Sequence, residues 1–115
     1  MSYDVKKKLI IPVPQKKVFA AIPIVAKELG GKLLKQNEEQ GLVSVQMDKK
    51  LQGKVLGDRS QLDFTLKDTP EQGTEVSVLA FPLNAVGQKL LFGARKGVVD
   101  TVLEVFFKTL EAKVK

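Results

Sequence analysis

The sequence has no cysteine, no histidine and no tryptophan, and each absence excludes something. Without cysteine there is no disulfide scaffold and no thiol nucleophile, and without cysteine and histidine there is no zinc site built on those ligands. Without histidine there is no Ser-His-Asp triad. Arginine is scarce as well, because only Arg59 and Arg95 accompany seventeen lysines. Metal sites and nucleophiles that depend on cysteine or histidine are therefore excluded.

What remains has the composition of one globular domain. The chain has 115 residues, of which 43% are hydrophobic and 28% charged, which is the size of a single domain and far from a disordered composition. We therefore predict one domain over residues 1–115.

Residues 1–8 lack the apolar run of a signal peptide, and no apolar stretch is long enough to cross a bilayer. We expect a cytoplasmic protein without a transmembrane segment.

Positive charge is concentrated in the first half of the sequence. Residues 1–60 hold twelve basic and six acidic residues, whereas residues 61–115 hold seven of each. A basic half favours anionic partners such as nucleic acid or acidic lipid headgroups, although it also serves as a solubilising surface. Nucleic acid is the less favoured partner, because base readers and phosphate clamps tend to use arginine rather than lysine.

The central part of the chain alternates as strands do. Apolar residues repeat with period two, which is typical of half-buried strands, in residues 3–13, 32–36, 42–47, 60–67 and 74–83. Residues 51–57 are ambiguous, because Gly53 and Gly57 weaken a strand but suit a bend. Residues 84–97 form a glycine-containing connection.

Two segments follow helical spacing instead. The first, residues 15–30, contains Pro23, which removes a backbone donor and clashes with the preceding turn. We therefore expect two short helical pieces meeting near Ile22. The second, residues 98–113, has a wide apolar side and an opposite side that carries acids early and lysines late, as the helix dipole favours. A helix this apolar has to pack closely against a sheet.

The order of strand, broken helix, about five or six antiparallel strands and long helix resembles the helix-grip superfamily. This resemblance also rests on the closing segment, residues 93–100, which leads into residues 106–110. Its members include START-type lipid-transfer domains, polyketide cyclases and aromatases, and the birch-pollen allergen family. It implies an α+β fold in which a curved antiparallel sheet wraps around the C-terminal helix and leaves an apolar cavity between them. The β-α-β4-α order is also that of the TATA-binding protein repeat.

If such a cavity exists, its walls come from the inner sheet face and the last helix. The candidate ligand-binding residues are Val43, Val45, Leu62, Phe64, Leu66, Val76, Val78, Leu103, Phe106 and Leu110. The alternative is that these side chains simply fill the core, because a void costs roughly 24 cal/mol per Å³. The ligand implied is a hydrophobic or amphipathic small molecule, a lipid among the candidates, bound without catalysis.

Lys7 is the one charged residue on the apolar phase of the first strand, between Val5 and Leu9. It is either a cavity cation, a sign of a bulge, or a lysine whose stem runs along the sheet edge with its head in water. We favour the last two explanations.

No carboxylate pair indicates acid–base catalysis. Glu38 and Glu39 lie in a turn, Asp63 lies on the outward phase of its strand, and Asp58 follows a glycine. We therefore predict no catalytic residue, no metal and no cofactor, and an enzyme is the less favoured interpretation.

A third possible function is self-association through an apolar patch formed by Leu79, Phe81 and residues 90–92.

Overall fold

The computed structural model describes residues 3–95 and 97–114. Two helices and seven strands follow one another in the order β1 (Val5–Ile11), α1 (Gln15–Glu28), β2 (Lys32–Asn37), β3 (Leu42–Met47), β4 (Lys50–Leu51), β5 (Lys54–Val55), β6 (Arg59–Asp68), β7 (Thr74–Leu83) and α2 (Val98–Val114). The predicted strand–helix–strands–helix order is confirmed.

Five strands form one antiparallel sheet in the spatial order β1-β7-β6-β3-β2. Strands β6 and β7 are the longest, with ten residues each, and β6 lies in the middle. Strand β2 is an edge strand whose residues are all exposed, and its pairing with β3 shifts register between Leu33 and Lys35. Charged residues and a register shift on an exposed edge discourage pairing with other chains.

One face of the sheet carries the core. Along β6 and β7 every second residue is buried, from Ser60 to Leu66 and from Thr74 to Ala80, because successive side chains of a strand point to opposite faces. The buried side chains of α1 and α2 join those of this inner face in one hydrophobic cluster. Helix α1 packs against β2, β3 and β6, whereas α2 packs against α1, β7 and β1.

The prediction of two helical pieces meeting near Pro23 is wrong. Helix α1 runs without interruption from Gln15 to Glu28 with Pro23 inside it. A proline inside a helix costs about 3 kcal/mol, but Val18, Ile22 and Val25 on the same helix are fully buried. Burying each such side chain stabilises by about 1.5–3 kcal/mol, so packing of the apolar face outweighs the lost hydrogen bond.

The ambiguous segment 51–57 is a short hairpin. Strands β4 and β5 pair with each other across a turn in which Gln52 and Gly53 both have positive φ angles, 51° and 82°. Two consecutive residues of this kind make a tight hairpin turn that matches the twist of the strands. Leu51 is buried in the core, and Val55 is exposed on the other strand.

The first strand is shorter than predicted, and the last helix closely matches its prediction. Pairing with β7 ends at Ile11, so Val13 lies beyond β1, where its carbonyl oxygen accepts a hydrogen bond from the Thr74 hydroxyl at 2.7 Å. Helix α2 carries Asp100 in its first turn and Lys113 in its last, as the helix dipole favours.

Candidate ligand-binding site

The ten predicted site residues belong to one hydrophobic core between the sheet and the two helices. Each is at most 3% exposed. Strand register explains why the sheet residues meet: Val43 lies opposite Phe64, which lies opposite Val78, and the next row joins Val45 to Leu62. Their alternation therefore predicted their burial and their common face.

Three aromatic rings join the sheet to the last helix. The ring of Phe64, on the central strand, lies 5.1 Å from that of Phe106 and 6.2 Å from that of Phe107, measured between centroids. The Phe64–Phe107 pair is edge-to-face, at 87°, a geometry that the quadrupoles of the rings favour. Phe107 was not among the predicted site residues, although its place in the apolar repeat of the helix was a signal for it.

Open volume lies beside these ten residues rather than among them. A groove of about 770 Å³ runs between β1 and α2. None of the ten lines it; its walls are Lys7, Lys8, Leu9, Glu104, Phe107, Lys108, Glu111 and Ala112. The sequence did not predict this set, because it depends on how two elements about a hundred residues apart are placed.

The groove has an apolar floor and a charged rim. Leu9 packs against the hydrophobic core and Phe107 belongs to it, so the floor of the groove is the outer boundary of the core. Lysines of both walls line the groove together with Glu104 and Glu111 of α2. An apolar floor with a few charged groups around it is the usual composition of a small-molecule site.

Lys7 belongs to this groove, and no bulge places it there. The register of β1 against β7 is continuous from Val5 to Ile11, so Lys7 points to the same face as its partner Val78. Lys7 itself is exposed. The expectation that its stem follows the sheet edge with its head in water is the one that fits this placement.

The four carboxylates considered in the sequence analysis have separate surroundings. Glu38 and Glu39 are exposed, Asp63 accepts a hydrogen bond from the Gln61 side chain at 2.9 Å, and Asp58 accepts one from the backbone N–H of Arg95 at 2.8 Å. Within residues 3–95 and 97–114, no three acidic side chains come close enough together to hold a metal ion.

A lysine lies over part of the predicted self-association patch. On the outer sheet face the Lys89 ammonium lies 4.9 Å from the centroid of the Phe81 ring, and Lys89 donates a hydrogen bond to Asp4 at 2.8 Å. Leu79 and Phe81 are only half-exposed, whereas Leu91 and Phe92 are exposed.

No helix in the described part of the chain has the length and apolar character that a bilayer crossing requires.

Comparison with known proteins identifies the fold. No protein-family model matches the chain, and no curated protein matches it in sequence. Among solved structures, Ara h 8.0201 superposes with a TM-score of 0.65 at 12% identity, over 99% of this chain and 98% of that one. A protein of Nitrosospira multiformis gives 0.62 at 14% identity, over 97% and 96%.

A third similar structure is DynU16, from the dynemicin biosynthetic locus. Its TM-score is 0.50 at 15% identity, and the match covers 97% of this chain but 47% of DynU16. At such identities the likeness concerns the fold alone. The chain has the helix-grip fold, with an antiparallel sheet and a C-terminal helix packed on it, and the predicted α+β class is confirmed.

Proposed function

We propose that residues 1–115 form a single non-catalytic domain that binds a hydrophobic or amphipathic small molecule between the sheet and α2. The observation that carries the proposal is the groove between β1 and α2. Its volume of about 770 Å³ lies within the range of roughly 300–1,000 Å³ that is typical of ligand pockets. The helix-grip fold supports the same function.

The groove favours an amphipathic ligand over a pure hydrocarbon. Its floor offers Leu9 and the ring of Phe107 to an apolar chain, and its rim offers Lys7 and Lys108 to an acidic headgroup. A lysine ammonium binds a carboxylate as a point charge while its stem covers apolar surface. A long-chain fatty acid combines the two properties.

The ten buried residues form the deeper wall in this proposal. Helix α2 supplies Leu103, Phe106 and Leu110, and the inner sheet face supplies the rest. Because Phe107 both lines the groove and packs on Phe64, an apolar chain entering the groove meets the aromatic rings first. A small outward movement of α2 would then extend the groove towards the core.

The test uses two tryptophan variants of exposed alanines. Ala112→Trp places an indole in the groove, and Ala20→Trp places one on α1, outside it. Binding of oleate is measured by titration calorimetry, and co-purified adducts are sought by native mass spectrometry. We expect oleate binding by the natural chain and by Ala20→Trp, with at least a tenfold weaker affinity for Ala112→Trp. Equal affinities in the two variants would contradict the proposed site.

The core wall is tested separately by enlarging one ring. We expect Phe106→Trp to abolish retention of a co-purified ligand, because an indole in a fully buried position occupies the volume that an inserted chain needs. Far-ultraviolet circular dichroism checks that the variant is folded. Unchanged retention in a folded variant would show that the chain of the ligand does not reach this depth.

A basic surface module for nucleic acid or anionic membranes, acting through the Lys-rich first half, is the alternative function. Ionic strength separates the two functions. Electrostatic binding weakens steeply between about 50 and 200 mM salt, whereas burial of an apolar ligand responds little.

A further inference from the structure

Two chain segments lie side by side at one end of the sheet. The first, residues 49–59, contains the β4–β5 hairpin, and the second, residues 84–95, follows β7. The backbone N–H of Arg95 donates a hydrogen bond to the Asp58 carboxylate at 2.8 Å, and a groove of about 360 Å³ is lined by residues of both segments, including Lys49 and Leu90. These two segments are called the tip below.

The tip exposes an unusual amount of apolar side chain. Its exposed fractions are 83% for Phe92, 78% for Val86, 64% for Val55 and 62% for Leu91. Phe92 is the most exposed large apolar side chain in the described part of the chain. A set of exposed apolar side chains gathered at one site marks an interaction surface more often than a single one does.

The same tip is rich in positive charge. Its 23 residues hold six basic residues and one acidic residue, a formal balance of +5 out of +6 for the whole chain. The remaining residues hold thirteen basic and twelve acidic ones. The tip therefore has a local basic excess, part of which is offset by Asp4, paired with Lys89, and by Asp48, next to Lys49. No ion pair among the described residues involves Lys49, Lys50 or Lys54.

We propose that the tip docks on the surface of an anionic lipid bilayer. Phe92, Leu91 and Val86 enter the boundary between headgroups and acyl chains, and the hairpin lysines contact the acidic headgroups. Exposed apolar side chains surrounded by lysine are suited to this interface, since a lysine keeps its charge in the headgroup layer while its stem lies on apolar surface.

The charge and the side-chain types of the tip argue against a second copy of the chain or nucleic acid as its partner. Two copies of the chain meeting through their tips would bring two surfaces of like charge together. Nucleic acid would use aromatic rings for stacking, but three of the four exposed apolar residues are aliphatic. This surface is distinct from the groove between β1 and α2, so docking stands or fails independently of ligand binding there.

A tryptophan reporter tests the docking. The chain has no tryptophan, so Phe92→Trp introduces a single fluorophore at the tip. Ile10→Trp is the matched control, because Ile10 is 64% exposed but lies on β1, outside the tip. With vesicles of phosphatidylcholine and phosphatidylglycerol, we expect a blue shift of the Phe92→Trp emission and no shift for Ile10→Trp. With pure phosphatidylcholine vesicles we expect at most a weak shift.

Charge variants test the electrostatic part by vesicle co-sedimentation. Each lysine near an anionic surface contributes about a fivefold factor to membrane partitioning, so Lys50→Gln combined with Lys54→Gln is expected to weaken binding about 25-fold. Lys16→Gln combined with Lys17→Gln removes two exposed lysines from α1 and is expected to leave binding unchanged. A blue shift for Ile10→Trp, equal binding to neutral vesicles, or equal losses in both lysine pairs would overturn the proposal. So would binding of oligo(dT) or concentration-dependent self-association in place of vesicle binding.

Discussion

The contact between Phe64 and Phe107 offers a direct test of how α2 is seated on the sheet. Phe64 is 1% exposed, and its ring meets that of Phe107 edge-to-face, with centroids 6.2 Å apart. Such pairs contribute about 0.5–1.5 kcal/mol beyond the apolar area that they bury. Truncating Phe64 to alanine would cost about 3–5 kcal/mol, a large part of the roughly 5–15 kcal/mol that stabilises a domain. Leucine is therefore the better replacement.

The assay is a double-mutant cycle on the free energy of unfolding. Urea unfolding is measured for the natural chain, Phe64→Leu, Phe107→Leu and the double variant. We expect the losses of unfolding free energy in the two single variants to add up to more than the loss in the double variant, by about 0.5–1.5 kcal/mol. The reason is that each single variant loses the ring contact, whereas the double variant loses it only once.

A second cycle provides the control. Phe81 lies on the outer sheet face under Lys89, so Phe64→Leu and Phe81→Leu share no ring contact, and their losses should add to within about 0.3–0.5 kcal/mol. If the Phe64–Phe107 cycle is equally additive, the rings do not hold α2 on the central strand, and the proposed route of a ligand past Phe107 towards the core loses its basis.

Two further substitutions test local features of the fold. Gly57 has a φ of 101°, and a β-carbon there would overlap the Arg95 side chain. Gly87 has a φ of 82° and open surroundings, so Gly87→Ala costs only about 1 kcal/mol of backbone strain. We therefore expect Gly57→Ala to destabilise the fold by more than Gly87→Ala. The Ser60 hydroxyl is fully buried on the inner face and forms no hydrogen bond with the described residues. Ser60→Ala should therefore raise the free energy of unfolding by about 1–3 kcal/mol, seen as a higher urea midpoint, and a lower midpoint would contradict this.

The elements with a regular apolar repeat were predictable from the sequence. In β6 and β7 the alternation continues for ten residues, and in α2 the apolar side is wide enough that the bounds and the buried face follow from the helical period. The β4–β5 hairpin was not predictable in this way, because strands of two residues are too short to show a period. Pro23 misled the prediction because its penalty is local, whereas the burial that offsets it comes from the sheet and α2.

The site could be predicted only in part for a related reason. Apolar phases identify which side chains point inward, and the ten predicted residues are indeed buried; their role in binding remains a prediction. The apolar pattern of a strand or helix does not show where two packed elements leave a gap. The groove joins Leu9 of β1 to Ala112 of α2, and the distance between these positions in the sequence hides their proximity in the fold.

One residue of the sequence marks the position of the gap. Strand β1 is an edge strand, and its inner face presents Val5, Lys7 and Leu9 to α2 in succession. Val5 and Leu9 pack against the core, but Lys7 is exposed in the groove with Glu104 of α2 on the other wall. An apolar side chain at position 7 would favour contact between the strand and the helix, because burying it would stabilise that contact by about 1.5–3 kcal/mol. A lysine cannot be buried there without losing the hydration of its charge, so β1 and α2 stay apart at this row. The sequence feature that corresponds to the opening of the proposed site is therefore Lys7, a charged residue among the apolar inward-facing residues of β1.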